Sequence, residues 1–149
     1  MLVYRIVKRH GVAPSGALTS VCGKGLACVT FKYGKRVRPR IKGSRLLAFR
    51  TEADARAFGV YGGEELWLAD GGREVVPVTH VAELERSGSL ISDLRVIRRF
   101  WTGFIAGVFG PREACPGNWI ALAPVGTVAC RSIKLLRPLA GVRQWDAGV

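Results

Sequence analysis

Apolar and polar residues alternate over several short stretches of the chain, which is the pattern of half-buried β-strands. The clearest stretch covers residues 28–33, where Val29, Phe31 and Tyr33 share one face. Further strands are predicted at residues 2–9, 18–22, 45–50, 65–69, 74–78, 119–123 and 126–137. Short strands joined by glycine-rich turns favour a mostly antiparallel sheet.

Two features of the pattern predict how strands are connected. The turn residues Asp70-Gly71-Gly72 predict a hairpin between the strands on either side of them. In the segment 126–137, the apolar residues Val128 and Cys130 are even-numbered, whereas Ile133 and Leu135 are odd-numbered. The phase therefore changes near Ser132, where we expect a bulge or a bend.

Two segments carry helical signals. Thr51 is a favourable N-cap with Asp54 as its capping-box partner, which predicts a helix over residues 51–58. Apolar residues recur at helical spacing over 92–103, which predicts a second helix. The expected fold is therefore α+β, a single domain over residues 1–149. It combines a mostly antiparallel sheet of short strands with about two helices.

The charge of the chain is distributed unevenly. The formal net charge is +12 at pH 7. Residues 1–50 hold twelve Lys and Arg and no acidic residue, whereas residues 51–149 hold eleven basic and eleven acidic residues. Clustered charge builds a local potential, so this asymmetry favours a surface that meets nucleic acid or another polyanion. The alternative is that coding bias toward Arg, with 17 Arg against 6 Lys, explains the excess.

The basic residues concentrate in one segment around Pro39. Basic side chains occupy every second position from 36 to 42, so an extended chain directs them all to one side. Pro39 cannot donate to a central sheet ladder, and it keeps the preceding residue out of the helical region. We therefore expect an accessible loop or sheet edge. The predicted nucleic-acid-binding residues are Lys32, Lys35, Arg36, Arg38, Arg40, Lys42 and Arg45.

Two aromatic residues, Phe31 and Tyr33, lead into this segment. Lys and Arg neutralise phosphates, and aromatic faces can stack on unpaired bases. The other interpretation places both aromatic rings in the core with Val29 and leaves the basic residues as a solvated loop. The sequence leaves both interpretations open.

No motif assigns a catalytic residue, a cofactor or a metal. The glycine-rich phosphate-binding patterns are absent despite 19 glycines. The cysteine spacings, Cys22-x5-Cys28 and Cys115-x14-Cys130, do not fit a zinc site. The most apolar run, over 100–109, is too short for a membrane helix, and the N-terminus lacks the apolar region of a signal peptide. We therefore expect a soluble cytoplasmic protein without a membrane partner.

The composition indicates adaptation to heat. The chain has one Asn, one Gln and one Met, which are residue types depleted in hyperthermophilic proteins. Intracellular disulfides occur in such organisms, so we expect at least one of the cysteine couples to be oxidised or within bridging distance. The alternative is four reduced, buried thiols. Four cysteines allow three connectivities, and the sequence does not choose among them.

Short pieces of sequence also carry a resemblance. They are Tyr4-Arg5-Ile6-Val7, Tyr33-Gly34-Lys35, Leu46-Leu47-Ala48-Phe49, Glu65-Leu66-Trp67 and Ile133-Lys134-Leu135-Leu136. In this order they resemble a scattered group of small uncharacterised proteins from phages, archaeal viruses and prokaryotic genomes. That resemblance implies an α+β domain of mobile-element type.

A second likeness rests on Arg5 in the first strand and Ser20 in the next. It resembles the ADP-ribosyltransferase fold and implies an NAD-dependent enzyme, although the C-terminal strands carry no Glu to match the catalytic one. Our expectation is a small, non-enzymatic binding protein of viral or mobile-element origin that contacts nucleic acid or another polyanion. The alternatives are this transferase and a virion or assembly protein. A cleft beside Arg5 and Ser20 would favour the enzyme, and a convex basic face would favour binding.

Overall fold

The computed structural model describes residues 1–10, 18–20, 29–82, 101 and 120–140. Most of this part of the chain forms antiparallel strands, with one short helix. The strands before the helix are β1 (Leu2–Arg9), β2 (Leu18–Ser20), β3 (Thr30–Phe31), β4 (Arg36–Val37) and β5 (Leu46–Phe49). After the helix α1 (Glu52–Phe58) come β6 (Glu64–Asp70), β7 (Val75–Pro77), β8 (His80–Ala82), β9 (Ile120–Leu122), β10 (Thr127–Cys130) and β11 (Ile133–Ala140).

The main sheet curls into a half-barrel in the order β4-β11-β6-β1-β5-β10-β7. The second half of β1 also pairs with β2, which in turn pairs with β3. A separate two-stranded sheet joins β8 and β9. Every pairing is antiparallel, which confirms the predicted sheet type.

The central strands β1 and β6 are buried on both faces because apolar residues occupy odd and even positions alike. Val3 and Trp67 belong to the larger apolar cluster on one face. Ile6 and Leu66 belong to a smaller cluster on the other face, against α1. Burial on both faces explains why these strands read as nearly continuous apolar runs rather than as a clean alternation.

A buried ion pair lies at the end of β1, in contact with Trp67 of the larger cluster. Arg9 donates to both carboxylate oxygens of Glu65, which is 0% exposed, and the indole Nε1 of Trp67 donates to the same carboxylate at 3.0 Å. The carboxylate therefore lies out of water with charged and neutral donors around it. A buried carboxylate needs such partners because burying it unpaired is costly.

The predicted hairpin between β6 and β7 is wrong. β6 has both edges occupied, by β1 along seven registered pairs and by β11, so β7 has no edge there to join. β7 instead pairs with β10. Gly71 lies at the point of departure, where a Cβ would come within 2.9 Å of the Cys130 sulfur. The turn residues show where the chain changes direction. The strands that flank β6 determine that β7 pairs with β10 instead.

The expected bend near Ser132 is confirmed. The strand predicted over 126–137 is two strands, β10 and β11, separated by Arg131 and Ser132. β10 lies between β5 and β7, whereas β11 lies between β6 and β4. The change of phase therefore marks a change of position within one sheet.

The first predicted helix is confirmed, with its cap. The Thr51 hydroxyl accepts a hydrogen bond from the backbone N–H of Asp54 at 3.1 Å, and α1 ends at Gly59. The second predicted helix, over 92–103, lies outside the described residues except for Trp101, which is helical and buried. Among the described helical residues, none belongs to a helix long and apolar enough to cross a membrane.

Candidate anion-binding surface

The predicted alternation along the basic segment is present in the structure. Arg36, Arg38, Arg40 and Lys42 are exposed, and we call these four residues the basic strip. The residues between them turn inward, since Val37 and Pro39 are half-buried and Ile41 is 6% exposed. One flank of the segment pairs with β11, and β4 stands at the end of the sheet order. Arg36 therefore lies on the edge strand of the sheet, and Arg38, Arg40 and Lys42 follow in the bend and turn after it, which fits the accessible loop or edge that Pro39 predicted.

Hydrogen bonds at each end of the segment hold it in place. Before β4, the backbone N–H of Gly34 donates to the carbonyl of Leu135 at 3.2 Å, and Gly34 has φ near 72°. After the strip, the backbone N–H of Ser44 donates to the Ile41 carbonyl at 3.1 Å, and its hydroxyl donates to the same oxygen at 2.6 Å. The basic side chains thus project from an ordered backbone, so binding need not order this segment first.

Arg36, the first member of the strip, pairs with a carboxylate of the neighbouring part of the sheet. Its Nη2 donates to Asp70, and its Nη1 donates to the hydroxyl of Ser132 at 2.9 Å. The backbone N–H of Gly72, with a further contribution from Arg36, holds the pKa of Asp70 below its ordinary value. The sequence places no acidic residue close to the strip along the chain. The fold nevertheless brings Asp70, 34 residues away in sequence, into contact with Arg36.

Beside Arg36 lies an open groove of about 710 Å³. It is lined by Met1, Arg36, Arg38, Asp70, Gly72, Arg73 and Ser132. Arg38 comes from the basic strip, whereas Arg73 comes from the turn after β6. Neither of these two forms an ion pair with any residue that the structure describes. Three guanidinium groups, the N-terminal ammonium of Met1 and one carboxylate surround the groove, a net charge of +3.

The binding residues predicted from the sequence did not include Arg73, Asp70 and Ser132, which also line this surface. Arg73 follows two turn glycines, a position that favours exposure but does not reveal its neighbours. Ser132 marks the bend that brings β11 alongside β4. No local signal connects these residues to Arg36, because the sheet order alone brings them together.

The other predicted basic residues differ in position. Lys32 and Lys35 are exposed at the turn before β4. Arg45 is half-buried, and its Nη1 is buried without a hydrogen-bond partner among the described residues. Burial raises the pKa of Cys130 to about 11, and the positive charges of Arg5 and Arg45 oppose that rise. Arg45 is therefore not part of the outward-facing strip.

The two aromatic residues also separate. Phe31 is 3% exposed and lies in the core, as one interpretation held. Tyr33 is 66% exposed at the turn that precedes β4, and its ring lies 5.7 Å from that of Trp67 at a tilt of 54°. Phe31 and Tyr33 share a sequence stripe, but β3 ends at Phe31, so the alternation does not continue. One aromatic ring is thus available beside the basic strip.

Arg5 and Ser20, the basis of the enzyme alternative, lie on neighbouring strands. Arg5 donates from Nη1 to the carbonyl of Leu47, and its guanidinium carbon is 5.3 Å from the centre of the Phe31 ring. Ser20 pairs in register with Val7 on β1. The groove at Asp70 includes neither of them. Arg5 is engaged with the carbonyl and the ring of the core.

Of the four cysteines, Cys130 alone lies in the described part of the chain, where it is a buried free thiol. The other three, Cys22, Cys28 and Cys115, lie outside the described residues, as does any pairing among them. Within the described ranges, no three His, Cys, Asp or Glu side chains cluster as a metal ion requires.

Comparisons with known proteins add no relative. No family model, no curated protein and no solved structure matched the chain.

Proposed function

We propose that this is a non-enzymatic protein that binds single-stranded nucleic acid along the basic strip. The observation that carries the proposal is the alternation of exposure from Arg36 to Lys42. It presents four exposed cations along the edge strand β4 and the bend and turn that follow it. The cations come from alternate positions along the chain, so the strip offers separate charges rather than one point.

The exposed ring of Tyr33 favours a single strand over a duplex. Proteins that hold single strands without sequence preference combine a basic track with aromatic rings on which unpaired bases stack. Tyr33 stands at the turn that begins the basic segment, between the exposed residues Lys32 and Lys35. A strand whose phosphates follow the strip can therefore place a base against this ring.

The affinity should depend steeply on salt. If the four members of the strip each neutralise one phosphate, the logarithm of affinity falls against the logarithm of salt concentration with a slope of about −3, from roughly −0.7 per contact. Phosphate contacts carry no base information, so oligonucleotides of different sequence should bind alike.

The test compares two triple variants with equal loss of charge. Arg38, Arg40 and Lys42 are replaced together by Ala, and Arg36 is kept because it is bound to Asp70 and Ser132. In the control variant, the exposed residues Lys8, Arg50 and Arg56 are replaced by Ala. Lys8 lies in register with Glu64 of the neighbouring strand, at the other end of β6 from Asp70.

Fluorescence anisotropy with a short unstructured oligonucleotide, measured over a salt series, gives the readout. The strip variant should bind roughly tenfold more weakly at low salt, with its slope flattened to about −1, while the control stays close to wild type. Exposed substitutions of this kind cost about 0.5 kcal/mol each or less, so the fold should persist. Equal binding by the two variants, or no binding by the wild type, overturns the proposal.

A Tyr33→Ala variant separates stacking from charge. It should weaken binding of the single strand by about 1 kcal/mol or more while leaving the salt slope unchanged. An acidic polypeptide used as competitor distinguishes nucleic acid from other polyanions, because it offers charge without bases. If that competitor binds as tightly as the oligonucleotide, and its affinity is the same for Tyr33→Ala as for the wild type, the partner is an acidic protein.

A further inference from the structure

The groove beside Asp70 continues the basic strip but differs from it in geometry. Arg36 and Arg38 belong to both, and Arg73 approaches from the turn after β6. The remaining strip residues, Arg40 and Lys42, lie farther along the chain and do not line it. The strip therefore presents cations in succession along the chain, whereas the groove gathers them around a volume of about 710 Å³.

The net positive charge around the groove exceeds the single negative charge that an internal phosphate of a nucleic acid strand carries. Each internal phosphodiester carries one negative charge, whereas three guanidinium groups and the N-terminal ammonium of Met1, with one carboxylate, leave a net charge of +3. A phosphate monoester carries about −1.5 to −2 at pH 7 and has three acceptor oxygens. Guanidinium groups bind such oxygens through paired N–H donors. The groove therefore matches a phosphomonoester better than a phosphodiester.

Hydrogen bonding keeps the walls of the groove in place. Arg36 is fixed by Asp70 and Ser132, and the backbone N–H of Gly72 donates to Asp70 at 2.9 Å. Gly72 has φ near 79°, and a Cβ there would lie 3.6 Å from Nη1 of Arg36, in ordinary contact. Arg38 and Arg73 are exposed and have no ion pair among the described residues, so both guanidinium groups are available to a ligand.

From this arrangement we infer that the groove binds a phosphomonoester dianion, with Arg38 and Arg73 as its principal ligands. The inference rests on the proposed function to the extent that the monoester is the terminal phosphate of the bound strand. A free mononucleotide carries the same group and is the other source. The chemistry is binding alone, with no bond made or broken.

The experiment compares end groups on one oligonucleotide. A 12-nucleotide thymidine strand with a fluorophore at its 3′ end is used with either a 5′-hydroxyl or a 5′-phosphate. A 14-nucleotide strand with a 5′-hydroxyl controls for added charge, since it gains two internal phosphates and the monoester adds about −1.5 to −2. We expect the 5′-phosphorylated strand to bind roughly fivefold more tightly than both others, the gain of about one exposed ion pair.

The Arg73→Ala variant locates the effect. It should abolish the preference for the phosphorylated strand and change the affinity for the hydroxyl-ended strand by less than twofold. Arg56→Ala, which removes an exposed arginine of α1, should retain the preference. Thermal unfolding of each variant verifies that the fold is intact.

The outcomes separate this inference from the proposed function. If all three strands bind alike, or if Arg73→Ala retains the preference, the groove inference is overturned while strand binding on the strip stands. If no strand binds, the proposed function fails, and thymidine 5′-monophosphate against thymidine, measured by ligand-observed NMR, decides the groove alone. Binding of the monophosphate that Arg73→Ala abolishes supports a free mononucleotide as the source. Absence of binding overturns the inference.

Discussion

Asp70 should act in opposite directions on stability and on anion binding. Its carboxylate accepts hydrogen bonds from the backbone of Gly72, from the N-terminal ammonium of Met1 at 3.2 Å and from Arg36, and it is also one of the groups that line the groove. The same negative charge therefore stabilises the fold and opposes an anion. Replacing Asp70 by Asn removes the charge while keeping a carbonyl oxygen that can accept from Gly72.

The loss of stability should be small. Asp70 pairs with Arg36 and with the N-terminal ammonium of Met1, all of them partly exposed, and exposed ion pairs contribute about 0.2–1 kcal/mol each. The gain in binding should be of similar size. A unit charge about 6 Å from a bound phosphate in a water-like dielectric contributes about 0.7 kcal/mol, which is roughly threefold in affinity. Arg36, released from its carboxylate, adds to this gain.

The effect on stability should also depend on pH. The pKa of Asp70 in the folded protein lies below the ordinary value of 3.8 because Gly72 and Arg36 favour the charged form. A group with a lowered pKa contributes stability above its unfolded pKa and loses that contribution as pH falls through its folded pKa. Wild type and Asp70→Asn should therefore differ in stability at neutral pH and converge in strong acid.

The measurements are urea unfolding at several pH values and anisotropy with the oligonucleotide. Glu52→Gln is the matched control, since it removes one exposed carboxylate that is paired with Arg56 rather than with the groove. It should leave the affinity nearly unchanged. An Asp70→Asn variant that binds no more tightly than this control would refute the assignment of the groove as an anion site.

Two further predictions concern the interior. Glu65→Ala should destabilise the protein by about 3–5 kcal/mol, because the guanidinium of Arg9 loses its carboxylate inside the sheet, and urea unfolding measures the difference. The double variant Arg9→Met with Glu65→Leu should recover most of that loss if charge burial is the cause. Cys130 should resist alkylation by iodoacetamide in the folded protein, because it is buried and its pKa is raised to about 11. Peptide mass spectrometry detects this, and rapid labelling of Cys130 under native conditions would contradict its burial.

The local features of the fold followed from the sequence. β1, the capped helix after Thr51 and the outward direction of the basic strip all depend on residues within one strand or one turn of each other. Periodicity fixes which face a residue occupies, and a capping hydroxyl satisfies a donor three residues away. The bend at Ser132 could also be predicted, since a change in the phase of the apolar alternation is a local property of the chain.

The partners of these elements were decided by the tertiary structure. The turn after Asp70 predicted a hairpin, but β1 and β11 occupy both edges of β6 and direct β7 to β10. Phe31 and Tyr33 share a stripe in the sequence, yet one is in the core and the other is exposed because β3 ends between them.

The candidate site divides in the same way. The sequence identified the cations of the basic strip, whereas the fold added Asp70 and Arg73 and turned Arg45 inward. A run of alternating residues shows which side chains face outward, but the alternation contains no information about which distant strand lies beside them. That choice is made by the burial and hydrogen bonding of the whole sheet, and it determines whether a surface cation faces solvent, a carboxylate or a ligand.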